Sequence, residues 1–177
     1  LSSRIFPLID RLFHQANWNV DDIKRIYVVI GPGSFTGIRI GVTIAKTYAW
    51  AKKLEIVPIS ELELLASTSY TTDYIVPYIN ARREAVYAGI YNHEGVVVND
   101  AYMPIKSLKE RYPSGSMVAV SYDACDLEIP QIKPEINLSK VVENHEQDLS
   151  KNPHEVNPIY LKLTEAEENI KHDSKNE

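Results

Sequence analysis

The segment that most limits what this chain can become runs from Ile26 to Lys53, IYVVIGPGSFTGIRIGVTIAKTYAWAKK. Tyr27-Val28-Val29-Ile30 is β-branched and aromatic without polar alternation, which predicts a strand covered on both faces. A turn carrying Gly31, Gly33 and Gly37 follows, with Pro32 fixing one φ inside it. Ser34 and Thr36 are the N-cap candidates, because a hydroxyl there accepts from the orphan amides of a first helical turn. A helix over Gly37–Lys53 is then expected. Ile38, Val42, Ala45 and Ala49 form one apolar stripe on it, and Ile40, Ile44, Thr47 and Tyr48 form another. A helix apolar on two sides is covered by more than its own sheet, either inside one domain or by a partner.

Two phosphate-binding motifs fail at this turn. A P-loop needs Lys after its last glycine, whereas Ile38 and Arg39 follow Gly37. A dinucleotide fingerprint needs G-x-G-x-x-G, and the spacing here is one residue longer. The helix N-terminus retains free amides able to attract an anion, but the plainer reading is a tight strand-to-helix link.

The string GPGSFTGIRIGVTIAKTYAWA, followed by IVPISELELLA, closely resembles the bacterial TsaB (YeaZ) family. That resemblance implies an α/β, actin/Hsp70-like (ASKHA, RNase H-like) fold of two lobes. It also implies a role in making threonylcarbamoyladenosine in tRNA. The family opens with strands carrying an Asp-Thr-Ser segment that has no counterpart here, so the first lobe is expected to be N-terminally truncated. Ser2 falls on the Ser of the family's His-Ser pair, and Leu1 stands where the His would be. Further on the family carries D-A-R-[RK]-x-E-V-Y. Arg82, Arg83, Val86 and Tyr87 match it, Asn80 replaces Asp, and Glu84-Ala85 stand where x-Glu is usual.

At 177 residues the chain can hold one domain or two small lobes. We divide it into residues 1–70, the remainder of an actin-like lobe; 71–164, a second α/β lobe; and 165–177, a charged tail expected to be disordered. Ser2–Gln15 is an amphipathic helix, with Ile5, Leu8, Ile9, Leu12 and Phe13 on one stripe. Glu55–Ile59 is a short strand ended by Pro58, and Ser60 with Glu63 forms a capping box. In the second lobe, Ile75–Ile79 contains Pro77 and is expected at a sheet edge or bulge. Ala85–Tyr91 and the run from Val96 continue a meander. Ser107 with Glu110 is a second capping box, and Met117–Tyr122 is a strand. Ser139–Leu149 is weakly helical, and Tyr160 with Leu161 is expected to dock back on the fold.

Arg82 and Arg83 could take an anion or an acidic partner, as could Arg39, because guanidinium is a planar fork for carboxylate or phosphate. The alternative is a solvated turn with a local Arg–Glu pair. The net charge of −5 argues against a protein that grips nucleic acid unaided. One cysteine, Cys125, excludes an internal disulfide and suits a reducing compartment, and no apolar run approaches a membrane span, so the cytoplasm is expected.

No catalytic residue is assigned. His14, His93, His145, His154 and His172 offer no pair at i, i+3 or i+4, so no helical metal site is read and no metal ligand is named. Ser34 follows Gly33 directly, unlike the G-x-S-x-G elbow of a serine nucleophile. Glycines that the family carries after its 117–122 strand are replaced by Ser121-Tyr122-Asp123-Ala124, which weakens a nucleotide site.

Two function classes remain. The family resemblance implies a non-catalytic scaffold subunit, binding a TsaD-like threonylcarbamoyltransferase and working with a TsaE-like small ATPase. ATP and metal would belong to those partners, tRNA would be met only through the complex, and a homodimer would form in isolation. On this reading Ser2, Ile5, Ile9, Leu12, Ile38, Val42, Ala45 and Ala49 lie in the partner or dimer interface. The other class is an independent enzyme, an actin-like ATPase, an M22-type peptidase or a carbamoyltransferase, which requires a phosphate-binding Asp/Gly constellation and metal ligands.

Overall fold

The computed structural model describes residues 2–148 and 151–162, with side chains from Arg4 onward. The elements are α1 (Ser2–Ala16), β1 (Arg25–Val29), α2 (Phe35–Lys52), β2 (Glu55–Ile59), α3 (Glu61–Ala66), β3 (Tyr74–Asn80), β4 (Ala85–Asn92), β5 (Gly95–Pro104), α4 (Ile105–Lys109), β6 (Met117–Val120), β7 (Gln131–Ile132) and α5 (Leu138–Asn144). They fall into two compact units. Of the described residues, the first joins the chain up to Leu64 to the stretch 137–158, and the second holds Leu65–Ile136 with residues 159–162.

In the first unit β1 and β2 form a parallel pair, registered from Arg25↔Glu55 to Val29↔Ile59. One face carries Val28 and Ile56, packed by Val42, Ala45 and Ala49 of α2 and by Val156. The other carries Tyr27, Val29, Val57 and Ile59, packed by Val141 of α5 and by Leu64. This is the physical reason the β1 sequence does not alternate: each side of the ladder meets apolar partners. Pro58 lies within β2, opposite Val28, instead of ending it.

The return of Asn137–Pro158 to the first unit corrects the expectation that residues 71–164 form one lobe. Val156 is only 3% exposed. Lys151 N donates to Ile56 O at 2.9 Å, and Lys46 Nζ donates to His154 O and Asn157 Oδ1. A clamp holds α5 in the same way. His145 Nε2 lies 2.8 Å from Glu63 Oε1, and its Nδ1 lies 2.7 Å from Asp148 Oδ2. Arg25 Nη1 donates to Glu146 O at 3.0 Å while its Nε pairs with Glu55.

The second unit is a mixed five-stranded sheet in the order β5-β4-β3-β6-β7. β3–β4 and β4–β5 are antiparallel, and β3–β6 and β6–β7 are parallel. Val76, Tyr78, Val86, Ala88, Ile90, Met103, Leu108, Ala119 and Leu127 make its core. β3 is central, so the expectation of an edge strand at Pro77 is corrected. Pro77 stays in register with Val120 on the β6 side, while the pairing with β4 runs from Ile75↔Tyr91 to Tyr78↔Ala88 without Val76 or Pro77. An imino residue is tolerated there because the ladder on that side is interrupted. Tyr78, fully buried, accepts from Cys125 N at 3.0 Å and lies 2.7 Å from Gln131 Oε1, so its hydroxyl ties the loop before β7 to the central strand.

Two capping expectations change. α4 begins at Ile105 rather than at Ser107, because Ile105 N finds Glu84 O at 2.9 Å. At α3, Ser60 Oγ accepts from Leu62 N at 3.1 Å, and the Glu63 carboxylate is engaged by His145. The expected docking of Tyr160 is replaced by that of Val156, since Tyr160 remains 46% exposed. The tail expected to be disordered, 165–177, lies outside the described residues.

β4 and β5 shift register beside Gly89, where an added Cβ would collide with Asp100 Oδ1 and come within 2.9 Å of Tyr91 Cε2. Tyr91 OH also donates to Asp100 Oδ1 at 2.6 Å, so neither neighbour can yield cheaply. Gly89→Ala should therefore destabilise the protein by about 1–3 kcal/mol in chemical denaturation. An unchanged midpoint would mean that the shift relaxes freely. The clamp gives a pH dependence. Burial by itself lowers the His145 pKa, but the hydrogen bond it donates to Asp148 and the charge of Glu63 outweigh it and raise the group above its ordinary 6.5. A raised folded-state value means stability that is full below about pH 6.5 and lost as pH rises through the folded value. Amide exchange in α5 should accelerate, beyond the intrinsic base catalysis, from pH 6.5 upward in the wild type and show no such step in His145→Gln.

Candidate functional site

Three surfaces hold the residues that the sequence singled out: the glycine turn, the α1–α2 region and the Arg82–Arg83 turn.

The glycine turn is built as its composition implies. Gly31 has φ 127°, a left-handed value that a side chain would oppose. Gly33 has φ 155° and lies against the Ile38 side chain, 3.5 Å from where its Cβ would be. Ser34 is the N-cap of α2, its Oγ accepting from Gly37 N at 3.3 Å. Thr36 is already inside the helix. Glu61 N donates to Gly31 O at 2.9 Å, which brings the start of α3 to the turn. Burial raises the Glu61 carboxyl above its ordinary value, and among the described residues no cation pairs with it. The Arg39 guanidinium stacks 4.4 Å over the Phe35 ring, one helical turn earlier.

The α1–α2 region departs from expectation. Val42 is 2% exposed, Ala45 7% and Ala49 1%, all packed on β1 and β2 with Ile38 beside them. This stripe is the core face of α2, a correction to its assignment as an interface. The small alanines let α2 approach its own sheet, not a partner. α1 behaves otherwise. Ile5 and Ile9 are half-buried, Leu12 is 62% exposed, and the side chain of Ser2 lies outside the described part. Phe6, Leu8 and Trp18 are each more than half exposed as well. Phe6, Ile9, Phe13, Trp18 and Tyr48 line a groove of about 500 Å³ between α1, the turn that follows it and α2. Reading only the i, i+3, i+4 stripe missed Phe6 and Trp18. Their size and their place among polar neighbours were the available signal.

The Arg82–Arg83 turn joins β3 to β4 in the second unit, whereas Arg39 belongs to the first. Arg82, Arg83 and Glu84 take φ 64°, 52° and 55°. Three successive left-handed residues without a glycine cost on the order of 1–2 kcal/mol each. The turn is held by Arg82 N donating to Asn80 Oδ1 at 2.7 Å, Ala85 N to Arg82 O at 3.0 Å, and Ala81 N to Ala85 O at 2.9 Å. The local Arg–Glu pair is not made among the described residues, and all three side chains are exposed.

For metal chemistry, no group of three or more His, Cys, Asp or Glu among the described residues is arranged to hold an ion. The nearest approach, His145 with Glu63 and Asp148, places the carboxylates at opposite ring nitrogens, where they cannot converge on one point. No helix of the described residues is long and apolar enough to cross a membrane.

An α/β chain with a glycine-turn unit and a mixed-sheet unit of this kind has the actin-like, ASKHA-type fold. The chain belongs to the family described as TsaD, tRNA N6-adenosine threonylcarbamoyltransferase, whose sequence profile matches residues 1–166, and within it to the TsaB/YeaZ proteins. Among its relatives, the tRNA threonylcarbamoyladenosine biosynthesis protein TsaB of Bacillus subtilis is 40% identical over 94 residues, 52% of this chain and 41% of that protein. The tRNA N6-adenosine threonylcarbamoyltransferase of Persephonella marina is 32% identical over 79 residues, 44% of this chain and 23% of that protein. These matches span less than half the length of the curated relatives. YeaZ from Pseudomonas aeruginosa superposes with a TM-score of 0.74 at 19% identity, covering 90% of this chain and 85% of that one, a likeness of fold.

Burial separates the two helices experimentally. Ala45→Glu places a carboxylate in the α2–β1 contact and should cost roughly 3 kcal/mol or more, whereas Leu12→Glu on the exposed side of α1 should change stability by no more than about 0.5 kcal/mol. Equal losses in urea denaturation would show that α1 is as much core as α2.

Proposed function

We propose that this chain is a non-catalytic subunit of the machinery that makes threonylcarbamoyladenosine in tRNA, and that it docks through the outer side of α1 onto a TsaD-like threonylcarbamoyltransferase. The observation that carries this reading is the exposure of Leu8 and Leu12, one helical turn apart on α1, together with that of Phe6 and Trp18 in the adjoining groove. Large apolar side chains gathered in a patch mark interaction surfaces, whereas single ones scattered over a surface do not. The groove beside them, lined by Phe13 and Tyr48, gives an incoming helix somewhere to seat a side chain.

The family supports the choice of partner. The same profile describes the transferases, and a named transferase aligns with part of this chain. Two chains of one fold can present equivalent helices to each other in pseudo-symmetric fashion. A second copy of this chain can use the same surface, so a homodimer is the competing state when the partner is absent. ATP and metal belong to the transferase and to a TsaE-like ATPase on this reading, and the complex works in the cytoplasm.

The docking surface differs from the one the alanine stripe suggested: α1 supplies the contact, and α2 contributes through Tyr48. Leu8→Glu and Leu12→Arg variants should lose capture of a TsaD-like transferase by at least tenfold in a pull-down, with thermal midpoints unchanged. Retained capture in both would move the interface elsewhere. ATP hydrolysis by the purified chain alone would overturn the non-catalytic role.

A further inference from the structure

The Arg82–Arg83 turn is strained, exposed and unused by the docking role. A backbone in a sparsely populated region persists only where its surroundings impose it, and such places concentrate at functional sites. Here the surroundings are explicit. Asn80 Oδ1 holds the turn from within, Asp123 Oδ2 accepts from Asn80 N at 2.8 Å, and Glu84 O accepts from Ile105 N at 2.9 Å. Arg82 N is already bonded to Asn80 Oδ1 and Ala85 N to Arg82 O, so what the turn offers outward is its two exposed guanidinium side chains. Among the described residues neither guanidinium makes an ion pair.

The neighbourhood adds a further cation and aromatic rings, with the carboxylates of Glu84 and Asp123 beside them. The Glu84–Ile105 hydrogen bond brings the start of α4, with exposed Lys106, to the turn. Two residues into β4, Tyr87 pairs with Tyr102 of β5, ring centroids 5.6 Å apart and tilted by 57°. Lys162 Nζ lies 5.2 Å over the Tyr102 ring. Cations that track a backbone beside aromatic faces that stack bases are the two components of single-stranded nucleic-acid recognition. An acidic protein partner would use the arginines but would have no need of the tyrosines.

We propose that the Arg82–Arg83 turn, with Lys106 and the Tyr87–Tyr102 pair, is a contact site for the phosphate backbone of unpaired RNA. The overall charge of −5 restricts it to an auxiliary role, adding one or two phosphate contacts to an RNA held chiefly by another subunit. The strain fits this use, because it is imposed on two exposed arginines adjacent in the chain.

The test measures anisotropy of a fluorescent oligouridylate of roughly ten nucleotides with the full chain alone, at several low salt concentrations. Wild type should bind with a log–log salt slope of about −1.4, the value for two phosphates on a single strand. Arg82→Gln with Arg83→Gln should weaken binding about tenfold and bring the slope towards zero, and Lys106→Gln should lower it by about half a phosphate contact or more. Arg83→Gly is the discriminating variant, since it keeps the left-handed backbone without the Cβ penalty. It should raise the thermal midpoint while losing RNA affinity. Unchanged RNA binding in the double variant overturns the proposal. Polyglutamate displacing the RNA with higher affinity than unlabelled oligouridylate also overturns it, and makes the turn an acidic-protein site. Leu12→Glu should leave RNA binding untouched, so failure of the docking role and failure of this site are separately visible.

Discussion

The first unit depends on how closely α2 lies against β1. Val42, Ala45 and Ala49 occupy that contact, and the two alanines carry no side chain long enough to hold the helix away from the sheet. A parallel pair of two strands has little cohesion of its own, so its stability rests on the layers that cover it. α2 and Val156 supply one layer, and Val141 of α5 with Leu64 supplies the other. Both Val156 and Val141 come from the returning segment. The glycine turn follows from the same requirement, because only a reversal as tight as Gly31–Ser34 lays the helix directly over the strand that precedes it.

Much of this was legible locally. The unbroken apolar run of β1, the Ser34 cap and the strand at Glu55–Ile59 rest on side-chain chemistry within a few residues, and the structure forms each of them. What escaped depends on distant partners. Pro77 reads as an edge residue only if each side of its strand needs a donor; the interruption in the β4 ladder removes that need, and no local pattern announces it. Val156 is a single valine in a polar stretch, and its burial is decided by where Lys151 and Lys46 tie the backbone. Small residues on a helix are equally ambiguous. Alanine permits close approach without saying to what, and in α2 the answer is the chain's own sheet.

The candidate sites were less legible than the fold, and for a physical reason. An exposed apolar residue and a strained turn are both violations of local rules, and a sequence pattern shows only where the rules are kept. Leu12 fits the same amphipathic stripe whether the stripe faces a core or a partner. Arg82 and Arg83 were visible as a charged pair, but their left-handed backbone was not, because neither residue type favours it.

On the proposed reading, the two surfaces answer different needs. Phe6, Leu8, Leu12 and Trp18 offer burial, which is non-directional and strong per residue, as a lasting attachment requires. The arginine turn offers charge without burial, weak at ordinary ionic strength and readily reversed. An RNA that must be bound and released suits the second kind of contact, and a permanent neighbour suits the first. In a chain of net charge −5, a basic contact for RNA has to be small and local, and rigid backbone is what gives a small contact its value. Two arginines on a rigid backbone lose less freedom on meeting a phosphate than two on a flexible loop. The left-handed turn therefore trades some folding stability for preorganisation, at a place where the ladder through Ala85 and the start of α4 can bear the strain.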